Sequence, residues 1–132
     1  MSVITIAAAL LHDGAGRLLL VRKRGTQAFM QPGGKIEPGE TPLAALLREI
    51  DEELGIQPEA SSCHFIRQIE ALAANEPGHV VRADLFALPW SGPVIIAAEI
   101  EEARWVTPED ARGLILAPLT REYVLPLHAS LS

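Results

Sequence analysis

Residues 41–54, TPLAALLREIDEEL, constrain the fold more than any other stretch, because both ends of a helix are marked in them. Thr41 suits the capping position before the first turn, Pro42 suits the first helical residue, and Gly55 suits the left-handed position just past the last turn. At about 100° per residue, Leu43, Leu47, Ile50 and Leu54 share one face, which needs a hydrophobic partner. Glu49, Glu52 and Glu53 share the opposite face, at i, i+3 and i+4. Three carboxylates on one patch repel one another. Arg48 offsets little of this, since it reaches Glu52 but not all three. A hard cation such as Mg²⁺ or Mn²⁺ offsets it well, because such ions prefer carboxylate oxygens. An acidic stretch on a generic helix is usually only a solvated face, so the surrounding residues decide between the two readings.

The rest of the chain reads as one mixed domain over residues 1–132, long enough to bury a core. Residues 3–11 and 17–23 read as two strands of a hairpin, joined by the turn His12-Asp13-Gly14-Ala15-Gly16. The apolar run from Met1 to Leu11 has no preceding Lys or Arg, which favours a buried strand over a secretory leader. Residues 27–35, with Pro32-Gly33-Gly34, read as a loop. Residues 64–72 and 79–88 read as strands separated by Asn75-Glu76-Pro77-Gly78, residues 95–96 as a short edge strand, and residues 103–106 as a further strand. Thr107 and Pro108 open a short helix, and residues 119–128 form a last helix that Pro126 kinks or shortens. Strands and helices mix without a βαβ repeat, so the class is α+β, with a mixed sheet between helices.

Composition narrows the function. A formal charge of −6 argues against a partner made of polymeric nucleic acid, which calls for a basic surface. It does not argue against a single nucleotide, whose charge bound metal ions neutralise locally. Cys63 is the single cysteine, so an internal disulfide is excluded; that fits a cytoplasmic protein. No stretch is long and apolar enough for a membrane span.

The wider spacing decides what the acidic helix is for. Gly34, five residues, Glu40, seven residues, then Arg48-Glu49-Ile50-Asp51-Glu52-Glu53-Leu54-Gly55-Ile56 resembles the Nudix box, G-x5-E-x7-R-E-U-x-E-E-x-G-U with U bulky and aliphatic. Every fixed position is met. The resemblance implies a Nudix fold, a mixed sheet sandwiched between helices with a loop–helix–loop catalytic segment, of the small MutT-like kind. It implies a Mg²⁺-dependent hydrolase, with Mn²⁺ as a substitute, that splits the diphosphate linkage of a nucleoside diphosphate derivative. The foremost expected substrate is a nucleoside triphosphate, giving monophosphate and pyrophosphate. Dinucleoside polyphosphates and nucleotide sugars are the rival substrates, and a non-catalytic nucleotide-binding module is the rival role.

Carried over residue by residue, the resemblance makes Glu52 and Glu53 metal ligands, Glu49 a ligand or the base, and Glu40 a support. Arg48 holds the carboxylates by charge-assisted hydrogen bonds. The Gly33 carbonyl is a metal ligand, and the Gly33-Gly34 backbone approaches the ion closely. MutT-like relatives carry one more Glu about six residues before the Trp of a late strand, which lands on Glu99, close to Glu101 and Glu102. For the substrate, Arg22, Lys23 and Arg24 are candidates for phosphate contact, Phe29 and Met30 for the base pocket, Gly34 for the diphosphate, and Arg82 for the cleft. Residues 116–120 stand where enzymes acting on oxidised guanine carry a polar base-reading pair; only Thr120 is polar here, which counts against that specificity. Dimerisation is common among the proteins this chain resembles, and its sequence does not decide it.

Overall fold

The computed structural model describes residues 2–74 and 76–131; Met1 and Asn75, both named above, lie outside the described residues. Seven strands form one mixed sheet: β1 Ser2–His12, β2 Leu18–Lys23, β3 Phe29–Met30, β4 Gly33–Lys35, β5 His64–Leu72, β6 His79–Pro89 and β7 Ile100–Val106. The helices are α1 Pro42–Leu54, α2 Pro108–Ala111 and α3 Leu125–Leu131. β1 is the spine. It pairs with β6 in parallel along its whole length, and β5 closes that side antiparallel to β6. Its other edge is divided. His12 pairs with Leu18 of β2, Ala9 donates to the Pro32 carbonyl, and Ile6, Ala7 and Ala8 pair with β4. The expected hairpin is therefore present at its turn, but β2 leaves β1 after that pair and takes β7 and β3 as partners. The glycine-bearing β4 occupies the other stretch of that edge.

Residues 27–35 are thus not a plain loop: two short strands, β3 and β4, flank Gln31 and Pro32. A two- or three-residue strand leaves no alternation to read, so the Pro-Gly-Gly signal dominated the sequence. The edge strand expected at residues 95–96 is absent. Ile95 there is exposed and its N–H donates to Leu54 O, tying an irregular segment to the end of α1. β7 starts at Ile100, earlier than expected, and a register shift against β2 lies between Arg22 and Lys23.

The core has two halves, one on each face of the sheet. Ala7, Ala9, Leu11, Leu19 and Val21 meet Ala45, Leu46, Ile50 and Leu54 of α1. Ala8, Leu10, Leu18, Leu20, Ala83 and Leu85 meet Ala111, Leu116, Leu119, Val124 and Leu125. Because both faces are covered, the middle strands are apolar continuously rather than alternately. The last helical segment begins with a wide π-type turn, Thr120–Val124, before α3. Pro126 has no N–H for the carbonyl four residues back, Glu122, and the wide turn accommodates it, so the helix continues. None of the described helices is long and apolar enough to cross a membrane.

Candidate active site

The caps of α1 form as its sequence requires. The Thr41 hydroxyl accepts from the Ala44 N–H at 3.1 Å, Pro42 opens the helix, and Gly55 sits at φ 66°, ψ 24° with its N–H on Asp51 O. The helix is rolled relative to the expected face. Ala45, Leu46, Ile50, Glu53 and Leu54 are buried, whereas Leu43 and Leu47 lie at the margin. Glu53 therefore does not stand opposite the apolar face. It enters the interior at 5% exposure, and the Gly33 N–H donates to its Oε1 at 3.1 Å.

That burial has an electrostatic consequence. Desolvation pushes the Glu53 carboxyl up to about 7. The Gly33 hydrogen bond opposes the shift, the charges of Glu49 and Glu99 add to it, and Lys23 opposes it more weakly. Glu99 thus lies near enough to Glu53 for its charge to be felt, although its own side chain is exposed. The Glu99 carbonyl accepts from Arg24 N–H at 2.7 Å, and the neighbouring Ala98 takes a left-handed φ of 54°.

Arg48 gathers more of the acidic residues than its helix position suggested. Its Nε and Nη2 donate to the two oxygens of Glu40 at 2.8 and 2.9 Å, and Nη1 donates to Glu49 at 2.7 Å. Nη2 also reaches Lys35 O at 3.1 Å, and Glu52 stands at 3.7 Å. The paired guanidinium, with the Glu37 N–H, holds the Glu40 carboxyl down at about 2. An Arg48→Ala variant releases Glu40 and Glu49 together. We expect activity to fall by about 10- to 100-fold and the Glu40 titration, followed by NMR, to move up toward the ordinary carboxylate range.

Gly34 matters for a different reason. A Cβ there would lie 2.4 Å from Cδ and Oε1 of Glu49. A carboxylate at the end of a flexible side chain moves aside, so Gly34→Ala should fold. The moved Glu49 gives up its 2.7 Å bond to Arg48, and we expect activity to drop by about 10²-fold with the melting temperature nearly unchanged.

Beyond Gly33 and Gly34 a cavity of about 130 Å³ opens on the sheet face away from α1, with Lys23 and Lys35 among its lining residues. The substrate-side candidates divide around it. Gly34 and Met30 line it. Phe29 is buried in the core instead, with the guanidinium groups of Arg22 and Arg104 at 6.0 and 5.4 Å from its ring centroid. Arg22 is held by Thr26 O and Glu102, Arg24 by Glu101, and Arg82 by Glu70 at 2.7 Å. Thr120 is fully buried and donates to Gln31 Oε1 at 3.1 Å, so it stands behind Gln31. Gln31 itself, one polar residue after Phe29-Met30, was not singled out from the sequence; its only signal was polarity beside an apolar pair. Cys63 is half-buried, and burial pushes its thiol up, away from the thiolate a nucleophile needs.

Comparison with known proteins bears on the family and the fold. The family model described as NUDIX domain matches residues 2–127. Over 58 residues the chain is 41% identical to the 8-oxo-dGTP diphosphatase of Haemophilus influenzae, an alignment covering 41% of this chain and only 43% of that protein's length. It is 30% identical over 122 residues to the CTP pyrophosphohydrolase of Escherichia coli, covering 89% of this chain and 86% of that protein. The crystal structure of the MutT protein from Methanosarcina mazei Go1 superposes with a TM-score of 0.78 at 23% identity, covering 98% and 95% of the two chains. A box motif complete at every fixed position, a family match over nearly the whole chain and a shared α+β sandwich lead to one conclusion: the chain belongs to the NUDIX family, as a MutT-like Nudix hydrolase.

Proposed function

We propose that this chain, acting as a single domain in the cytoplasm, is a pyrophosphohydrolase of a nucleoside diphosphate derivative, foremost a nucleoside triphosphate. Mg²⁺ is its metal, with Mn²⁺ as a substitute. The observation that carries the reading is the buried Glu53 carboxylate, on the same helix as Glu49 and Glu52 and held by the N–H of Gly33, a residue that also lines the cavity.

The residues present fit a hard divalent ion. Glu53 accepts a hydrogen bond from the Gly33 N–H and keeps lone pairs for a cation, and burial makes its bare charge costly. Glu49, Glu52 and Glu53, with the Gly33 carbonyl and Glu99, are the residues that would hold the ion, and all are oxygen donors. Among the described residues no three such side chains yet converge into a cage. The exposed Glu52 and Glu99 must swing inward for that, and Glu49 must share itself with Arg48.

A bound ion supplies positive charge to the diphosphate oxygens and acidifies water. The remaining work belongs to side chains. Glu49, or Glu52 in its place, takes the proton of the attacking water or orients it. Arg48 fixes Glu40 and Glu49 so that the acidic cluster does not collapse onto a single partner. Lys23 and Lys35 border the cavity where an anionic substrate approaches. Attack at phosphorus forms one P–O bond and breaks the bridging P–O bond in line, leaving a nucleoside monophosphate and pyrophosphate. No covalent enzyme intermediate is required.

A panel of nucleoside triphosphates, dinucleoside polyphosphates and nucleotide sugars, incubated with Mg²⁺ and read by product chromatography, tests the reading. Monophosphate with pyrophosphate from the triphosphates is the expected result. Tight binding of a nucleotide with no turnover of any compound would instead make the chain a binding module.

A further inference from the structure

Among the described residues that line the cavity, one buried side-chain polar atom has no partner. Gln31 is 6% exposed and lines the cavity; its Nε2 is buried and has no hydrogen-bond partner. Its Oε1 is already taken by the Thr120 hydroxyl at 3.1 Å, and Thr120 is itself fully buried. A primary amide nitrogen offers two N–H donors and no acceptor. Leaving it unpaired in a dry interior costs about 1–3 kcal/mol. A chain that needed only a well-packed wall has cheaper choices here, since the neighbours Ile4, Ile6, Met30, Val81 and Leu119 are apolar. In this arrangement the Thr120 hydroxyl donates to Oε1, so the Nε2 end is the one left without a partner.

We infer that Gln31 selects the substrate by donating from Nε2 to an exocyclic keto oxygen of a flat heterocycle lodged in this cavity, with Thr120 as its positioning residue. The inference rests on the proposed diphosphate hydrolysis, because Gly33 and Gly34 belong to both the cavity and the carboxylate site. Two donors cannot face each other. A base that presents an amino group where guanine and uracil present a keto oxygen leaves the Gln31 N–H groups unpaired and adds an unpaired donor of its own. Discrimination by such a mismatch exceeds what apolar contact alone achieves. The expected order is therefore GTP and UTP above ATP and CTP.

The test compares kcat/KM for GTP, UTP, ATP and CTP in the wild-type protein, in Gln31→Met/Thr120→Val, and in Thr120→Val alone. The double variant removes both members of the buried hydrogen bond and replaces them with apolar groups of similar size, so it should fold, which a melting curve verifies. We expect the wild-type protein to favour GTP over ATP, and UTP over CTP, by about tenfold or more. That ratio should fall to near one in the double variant, through KM more than kcat, and to an intermediate value in Thr120→Val. Equal rates for all four bases in the wild-type protein, or a ratio unchanged in the folded double variant, would overturn the role of Gln31 while leaving hydrolysis standing. No turnover of any of the four, with no binding of GMP or UMP by calorimetry, would overturn both.

Discussion

Glu53→Gln should abolish most of the activity while making the metal-free protein more stable. The two effects come from the same burial. Gln keeps an oxygen for the Gly33 N–H but brings no charge for a cation, so kcat/KM with Mg²⁺ should fall by at least about 10²-fold. In the metal-free protein the native carboxylate is the costly group. Its folded pKa of about 7 lies above the ordinary glutamate value of 4.5, so the folded state holds the proton more tightly than the unfolded chain. The stability this contributes is fully present below about pH 4.5 and is lost as pH rises through 7. The loss is on the order of 3 kcal/mol. Urea denaturation without metal should show wild-type stability falling across that window and Glu53→Gln nearly flat there. Adding Mg²⁺ at pH 8 should stabilise the wild-type protein and leave the variant unchanged. Glu40 works in the opposite sense: its depressed carboxyl contributes stability above the ordinary carboxylate range that disappears as pH falls toward 2.

Gly33→Ala is expected to be the most damaging single methyl group in the chain. At φ 142° the backbone of Gly33 is in a region that other residues rarely adopt, and a Cβ there would lie 2.1 Å from Ala7 O and 2.8 Å from Ala8 Cα. Both atoms are main chain in the spine strand, which is fully paired with β6 on its other edge and cannot retreat. β4 must instead detach from β1, and the Gly33 N–H leaves Glu53. We expect a destabilisation of about 4 kcal/mol or more, visible as a large drop in the urea midpoint or as insoluble protein. Gly34→Ala, one residue on, should fold; the contrast separates a glycine demanded by the backbone from one demanded by a carboxylate.

Much of the site was legible because its residues are local. Caps, periodicity and box spacing place Glu40, Arg48, Glu49, Glu52 and Glu53 on one segment, and the structure keeps them there. What sequence could not give was the roll of α1. Periodicity assigns every Glu to the wet side, yet Glu53 is buried because a glycine N–H, contributed by a residue 20 positions away, receives it. The fork in the sheet was hidden for a similar reason. A Gly-rich turn announces a hairpin, but which strand fills the rest of the β1 edge depends on long-range pairing. Arg22 looked free for phosphate and Arg82 for the cleft because their partners, Glu102 and Glu70, come from other strands. Gln31 shows the converse: a residue unremarkable in sequence acquires meaning only when its amide is found buried with one end satisfied and the other open.

The most direct measurement is a titration of the purified protein with Mn²⁺, counting the free ion by its paramagnetic resonance signal at pH 8 and again at pH 6. The helix carboxylates are predicted to take up the ion at pH 8, to hold it more weakly at pH 6 where Glu53 carries a proton, and to lose it in Glu53→Gln. A signal that tracks added Mn²⁺ without loss at pH 8, or uptake indifferent to Glu53, would contradict the account.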